Sequence, residues 1–266
     1  MNDVREREGA YWSGVVVAHA EATGCPLWRR YCDRLHERLI RRWAGTREFS
    51  CALKTDLFDE SVGEGLAGVL ASVAERVCGI DVAEAVVELA QRKHPRLQAK
   101  CGDVRKLEMA DASVDLIVSN STLDHFHTTA EIRQALSELT RILQPGGLLI
   151  VTLDNPRNPI VALRNALPEQ WQERSGLVPY FMGQTLAMPE LMAALRECGL
   201  EPIAHEHLMH VPRVAAMPIC RRLGGSATLA ERFLPVMLGC ERAAALPTAA
   251  FTGHFSAALA RKPLPR

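Results

Sequence analysis

VCGIDVAEAVVELAQRKHPRLQAKCGDVRKLEMADASVDLIVSNSTLDHF, residues 77–126, alternates short apolar runs with amphipathic segments and sets an acid or an amide at the end of each run. Val77 to Ile80 ends in Asp81, Leu97 to Cys101 in Gly102 and Asp103, and Val114 to Val118 in Ser119 and Asn120. Downstream, Leu148 to Leu153 ends in Asp154 and Asn155. Nearly all-apolar strands separated by helical stretches imply a parallel sheet covered by helices on both faces. In such sheets ligands bind beyond the carboxyl ends of the strands. That rule gathers Asp56, Asp81, Asp103, Asn120 and Asp154 along one edge, although each alone also suits a turn or a helix cap.

Working outward, Tyr11 to Ala22 and Leu27 to Trp43 read as helices. In the second, Trp28, Tyr31, Cys32, Leu35, Leu39 and Trp43 recur at three- and four-residue steps as one buried stripe. Its other face carries Arg29, Arg30, Arg34, Arg38, Arg41 and Arg42, either a solvated face or an anion-binding patch. Then comes CALKTDLFDESVGEG, residues 51–65, a strand and glycine loop leading into a helical pattern at Leu66, Val69, Leu70 and Val73. The loop lacks the glycine spacing that a dinucleotide pyrophosphate requires. Its acids, Asp56, Asp59, Glu60 and Glu64, favour a ligand bearing positive charge. Further on, the periodicity predicts strands at Val77–Asp81, Gln98–Asp103, Val114–Asn120, Leu148–Leu153, Glu201–Leu208 and His254–Arg261. It predicts helices at Val82–Arg92, Thr129–Leu143 and Met188–Gly199, and a turn over Gln144–Gly147.

Composition narrows the partners. The chain has 31 basic and 31 acidic residues, so no global field attracts a polyanion and sequence-independent nucleic-acid binding is not expected. The eight cysteines include no Cys-x-x-Cys pair and suit reduced core thiols rather than disulfides or zinc. The longest apolar runs, such as Phe233 to Cys240, fall short of the roughly 20 residues of a membrane span, and no charged-then-apolar leader opens the chain. A cytoplasmic protein acting on a small molecule, with no metal, is the expectation. His205, His207 and His210 do not make a metal set, because a strand places only the first two on one face. Oligomeric state is left open.

Four blocks together carry a resemblance: TDLFDESVGEG, VCGIDVAEAVVELAQ, CGDVRKLEMADASVDLIVSNSTLDHF and LTRILQPGGLLIVTL. Over roughly Leu53 to Leu153 the chain resembles the class I S-adenosylmethionine-dependent methyltransferases, with a type 11/25-like core. The resemblance implies an α/β, Rossmann-like, doubly wound and mostly parallel seven-stranded sheet under a helical cap, and S-adenosyl-L-methionine as cofactor. It makes Asp81 the acid for both ribose hydroxyls, with Val82 beside the adenine. Asp103 becomes the acid for the adenine amine, with Val104 beside it, and Ser119 and Asn120 lie near the methionine part. In the first loop the family has an acid followed by alternating glycines. Registering Asp59 as that acid uses Gly63 and Gly65, whereas registering Asp56 puts Phe58 and Glu60 at glycine positions; the first is preferred for its glycines. Lys54, Thr55 and Asp56 are expected to leave the strand and turn toward the ligand.

The chain is expected to be one domain, with an N-terminal helical cap at 1–48, a cofactor-binding core at 49–154, and cap insertions with closing strands at 155–266. Tyr11 and Trp12 are lid candidates. Asp154 and Asn155 end the fifth strand, and the insertion Ile160 to Ala187 brings Trp171, Tyr180 and Phe181. A sixth strand parallel to the others would put His210 and Arg213 at the same edge, and the second insertion, Ala215 to Thr252, is mostly helical. Methyl transfer from a sulfonium is an in-line displacement that needs positioning and, for an alcohol, a base. Candidate bases are His125 first, then Asp124, His127 and His210. The leading reading is methyl transfer to a small, partly apolar molecule at oxygen. The alternatives are a cofactor-binding protein without turnover and a nucleic-acid or protein methyltransferase relying on Arg34, Arg38 and Arg41.

Overall fold

The computed structural model describes residues 2–21, 25–167, 180–223 and 226–265. Ala22, at the end of the first expected helix, and Trp171 lie outside the described residues.

Seven strands form one sheet in the order β3-β2-β1-β4-β5-β7-β6. They are β1 (Phe49–Lys54), β2 (Ala74–Asp81), β3 (Leu97–Cys101), β4 (Val114–Asn120), β5 (Leu143–Asp154), β6 (Glu201–Leu208) and β7 (Phe255–Arg261). Only β7 opposes the rest: it pairs antiparallel with both β5 and β6, so β6 runs parallel to β5 as expected. Chain direction reverses in strand order at β1 and β4, and the carboxyl ends of both strands open on one edge.

The helices follow the predicted stripes. α6 (Thr129–Ile142) starts with a capping box between Thr128 and Glu131 and buries Ile132, Ala135, Leu136, Leu139 and Ile142. With α8 (Met188–Glu197) it covers one face of the sheet. The other face is covered by α4 (Ala67–Ala71) and α5 (Glu84–Lys93), and by the apolar side of α2 (Pro26–Ala44). The predicted turn at Gln144–Gly147 is instead part of β5: the ladder jumps from Val114↔Leu143 to Leu116↔Leu148, and Gly146 takes φ of +78° to make the bulge.

The cap forms a third cluster. α2 packs Leu27, Trp28, Tyr31 and Leu35 against α9 (Arg213–Leu223) and α10 (Ala227–Cys240). Glu241, just after α10, ties this layer to the strand edge by accepting from the Tyr31 hydroxyl and from the backbone N–H groups of Met209 and His210. Two shorter helices, α7 (Pro159–Ala166) and α11 (Ala249–Thr252), follow β5 and precede β7.

Candidate functional site

A cavity of about 280 Å³ lies beyond the carboxyl ends of the strands, roofed by α1 (Asn2–Glu21). Asp81, Val82, Asp103, Val104 and Asp56 line it from the sheet side, with Thr55, Phe58 and Ile80. Tyr11, Trp12, Arg7 and Glu8 line it from α1, and Val86, Gly102, Arg105, Thr122, His125, Phe126, His127 and Phe181 complete it.

Asp81 is held by its own neighbourhood. Its Oδ1 accepts from the Ala83 N–H at 2.9 Å and its Oδ2 from the Leu57 N–H at 3.0 Å, leaving one lone pair on each oxygen for a ligand. That is the acceptor pattern a vicinal diol fits. Asp103 differs. Arg105 grips it through backbone N (2.8 Å) and Nε (3.0 Å) to Oδ1, and through Nε (3.1 Å) and Nη2 (2.9 Å) to Oδ2. The Asp103 acceptors are thus occupied from within the chain. Arg105 also binds Glu8 of α1 at 2.5 Å and Glu131 of α6 at 2.6 Å, and lies 4.8 Å over the ring of Phe126.

The first loop takes neither expected arrangement in full. β1 stops at Lys54, and Thr55 and Asp56 do enter the cavity lining. Lys54 does not: it is wholly buried, pairs with Glu60 at 3.0 Å and donates to the Asp56 carbonyl. Asp59, Gly63 and Gly65 are brought elsewhere. Asp59 pairs with Arg29 at 3.4 Å, and Gly63 packs against the Arg29 stem. Gly65, at φ +54°, wraps around Glu60, whose Oε1 accepts from the Leu66 N–H. The loop therefore organises itself around a buried ion pair. Burial pushes the Asp56 carboxyl well up, with the Lys54 ammonium opposing.

At the end of β4, Ser119 is buried, its hydroxyl accepting from Thr55, and Asn120 is buried with an Oδ1 that finds no donor among the described residues. Ser121 then adopts φ of +49°, a costly conformation for a residue with a side chain, and turns the chain so that Thr122 and His125 reach the cavity. The His125 ring meets Trp12 at 4.7 Å and Tyr180 at 5.6 Å, both near edge-on. Tyr180 also packs on Phe58, so it belongs to the aromatic wall behind the lining. Gly183 is seated against this turn; a Cβ there would stand 2.1 Å from the Phe126 carbonyl.

The other expected residues sit apart. Asp124 is buried, accepts from the Ser121 hydroxyl and the Asp154 N–H, and is pushed up by burial and by Asp154. Asp154 is fully engaged with Arg164 (2.6 Å) and His254 (3.4 Å); burial alone would raise it, but these two partners hold it well below the usual carboxylate range. The Asn155 amide donates to the carbonyls of Ala250 and Gly253, stapling the cap shut. His210 lies between Thr252 Oγ1 (2.8 Å) and the His207 carbonyl (3.0 Å), outside the cavity lining, and so does Arg213. Among the described residues no group of three or more His, Cys, Asp or Glu is placed to hold a metal.

Arg7, Glu8 and Arg105 were missed from the sequence. Arg7 and Glu8 lie in a polar start with no apolar stripe, and the only mark on Arg105 is its place two residues after Asp103.

Comparison with known proteins agrees with this arrangement. Residues 61–151 match the family model described as a methyltransferase domain. A probable S-adenosylmethionine-dependent methyltransferase of Mycolicibacterium smegmatis is 34% identical over 129 residues, covering 48% of this chain and 46% of that protein. The chain thus spans about half the length of that relative. Among solved structures, the [4+2]-cyclase SpnF superposes with TM-score 0.55 at 22% identity, over 88% of this chain and 81% of the other. The N-methyltransferase NodS from Bradyrhizobium japonicum, solved with S-adenosyl-L-homocysteine, superposes with TM-score 0.54 at 16% identity, over 96% and 99%. These two likenesses concern the fold. The strand order, the acid-ended strands and the sequence match over residues 61–151 agree in likening this core to the methyltransferase domain of S-adenosylmethionine-dependent methyltransferases.

Proposed function

We propose that this protein transfers a methyl group from S-adenosyl-L-methionine to the oxygen of a small, partly apolar molecule. The observation that carries the reading is Asp81, fixed at the cavity wall with one free lone pair on each oxygen. The cavity chemistry fits the cofactor. Asp81 would take the ribose diol, and Ile80, Val82 and Val104 would wall a flat base. Asp56 at the cavity wall suits a cationic tail, whose charge would in turn favour its ionised form, while Asn120, with its unpartnered Oδ1, is buried at the end of β4 and does not line the cavity. When bound, the cofactor supplies an electrophilic methyl carbon on a sulfonium.

The chain's own residues would then position the acceptor and take its proton. A carbonyl oxygen only accepts, so the contact of His125 Nδ1 with the Phe181 carbonyl places the proton on Nδ1. With that proton on Nδ1, the lone pair of His125 is on Nε2, which lies 4.0 Å from the buried Asp124 carboxyl and would receive the hydroxyl proton as the oxygen–carbon bond forms and the carbon–sulfur bond breaks. Trp12, Phe58, Phe126 and Tyr180 supply an apolar wall that favours a partly apolar acceptor and excludes water.

A second reading, cofactor binding without turnover, is favoured by the loop, where the Lys54–Glu60 ion pair replaces the glycine cradle. Calorimetry with S-adenosylmethionine and with its demethylated product distinguishes the cases. Binding that is lost in Asp81→Ala, together with methylated product from a panel of hydroxylated acceptors, supports methyl transfer. Binding without product across the panel supports the second reading, and no binding at millimolar ligand defeats both.

A further inference from the structure

The charge of this neutral chain is unevenly distributed. α2 and residues 213–252 together carry eleven arginines against four acids (Asp33, Glu37, Glu231 and Glu241), a surplus of seven that the remainder of the chain cancels. The two segments pack on each other through one apolar cluster, so the surplus is concentrated on the cap. Arg30, Arg38, Arg221, Arg222, Arg232 and Arg242 are exposed, and none enters an ion pair among the described residues.

The same cap exposes apolar side chains. Val214 and Ile219 on α9, Leu229 and Val236 on α10, and Leu246 and Phe251 beyond them are between 45% and 59% exposed. Ile160 and Leu163 on α7 add to them, and the start of α7 is tied to α11 through Asn155 and Asn158. Single exposed apolar residues are ordinary, but eight in one joined layer, interspersed with unpaired arginines, mark a docking face. A polyanion such as nucleic acid would satisfy the arginines and leave the apolar side chains in water. A bilayer of anionic lipid satisfies both, the arginines at the headgroups and the apolar side chains at the acyl boundary.

We propose that the cap face of α9, α10 and α11, with the arginine face of α2, docks peripherally on an anionic lipid surface. No helix of the described residues is long and apolar enough to cross a membrane, so this is surface attachment. α7, α9 and α11 all leave the carboxyl edge of the sheet, where the cavity lies, so docking brings the site to the layer in which a partly apolar acceptor concentrates. The docking stands apart from the methyl-transfer reading and is tested apart from it.

The test is co-sedimentation of the full chain with vesicles of phosphatidylcholine alone or with about one third phosphatidylglycerol. Expected is at least ~10-fold stronger partition onto the anionic vesicles, falling as salt rises. The variant Arg221→Glu/Arg222→Glu/Arg232→Glu should lose ~10-fold or more. Val236→Asp/Phe251→Asp should also weaken binding, with far-ultraviolet circular dichroism and calorimetric cofactor affinity unchanged in both. Equal partition onto the two vesicle types, salt-insensitive binding, no sedimentation, or capture only by duplex DNA would overturn the proposal. The comparison of lipids and salt uses the unaltered protein and so does not depend on the variants folding.

Discussion

The Nδ1 proton of His125 is held by the backbone carbonyl of Phe181 at 3.0 Å, across 56 residues of chain. Phe181 is itself placed by Tyr11, whose hydroxyl accepts from the Phe181 N–H at 2.6 Å. The stretch leading into α8, the N-terminal helix and the turn after β4 are thereby joined at His125, which lines the cavity together with His127.

If that imidazole is the base, His125→Asn should lower kcat by ~10²–10⁴-fold with cofactor affinity changed only a few-fold. Steady-state kinetics with calorimetry on the same preparation checks this. A variant that keeps kcat and raises KM alone would assign His125 to positioning.

Arg105 is a latch between α1 and the sheet. Replacing it with Ala leaves Asp103, Glu8 and Glu131 facing one another without their shared cation. Arg105→Ala should weaken cofactor binding by ~10-fold and make α1 a site of early proteolytic cleavage, whereas Arg105→Lys, unable to form the bidentate pair, should fall between. Limited proteolysis and calorimetry read the two effects separately.

Lys54 and Glu60 are both wholly buried. Burial alone would lower the Lys54 ammonium, but the carboxylates of Glu60, Asp56 and Asp59 outweigh it and raise it. Lys54→Met leaves Glu60 buried without its cation and should cost about 3–5 kcal/mol in urea denaturation. Lys54→Met/Glu60→Gln should recover most of that loss, because glutamine keeps an acceptor for the Leu66 N–H.

Asp33 has the opposite sign of effect. Burial first, then the carboxylate of Asp59, push it up to about 7, with Arg29 partly offsetting them. Below about pH 4 the group is protonated folded and unfolded alike and contributes no pH dependence. From there to about 7 the folded chain keeps a proton that the unfolded chain has released, so stability falls as pH rises. Asp33→Asn should therefore stabilise the protein at pH 8 by on the order of 1–3 kcal/mol, discounted for partial exposure, with the gain vanishing near pH 4. Denaturation curves across that range check it.

Much of the sheet was legible because its signal is local. β4 and β6 match their predicted bounds residue for residue, each being an apolar or alternating run ended by a turn. The edge rule likewise brought Asp56, Asp81 and Asp103 to one cavity, and the lid and base candidates Tyr11, Trp12 and His125 line it too. What failed was partner choice. Asp154 and Asn155 lie on the expected edge, yet Arg164, His254 and the carbonyls of residues 250 and 253 claim them.

The amino-acid sequence by itself determined the strand order's raw material and the acids at the strand ends, since apolar periodicity and residue type act within a few positions. Only the tertiary structure decided that Gly63 and Gly65 serve the Lys54–Glu60 pair rather than the cavity, and that Arg105 spends the acceptors of Asp103 while fastening Glu8 from 97 residues away. A buried polar group takes whichever partner the fold brings within about 3 Å, and that distance is not written in sequence spacing.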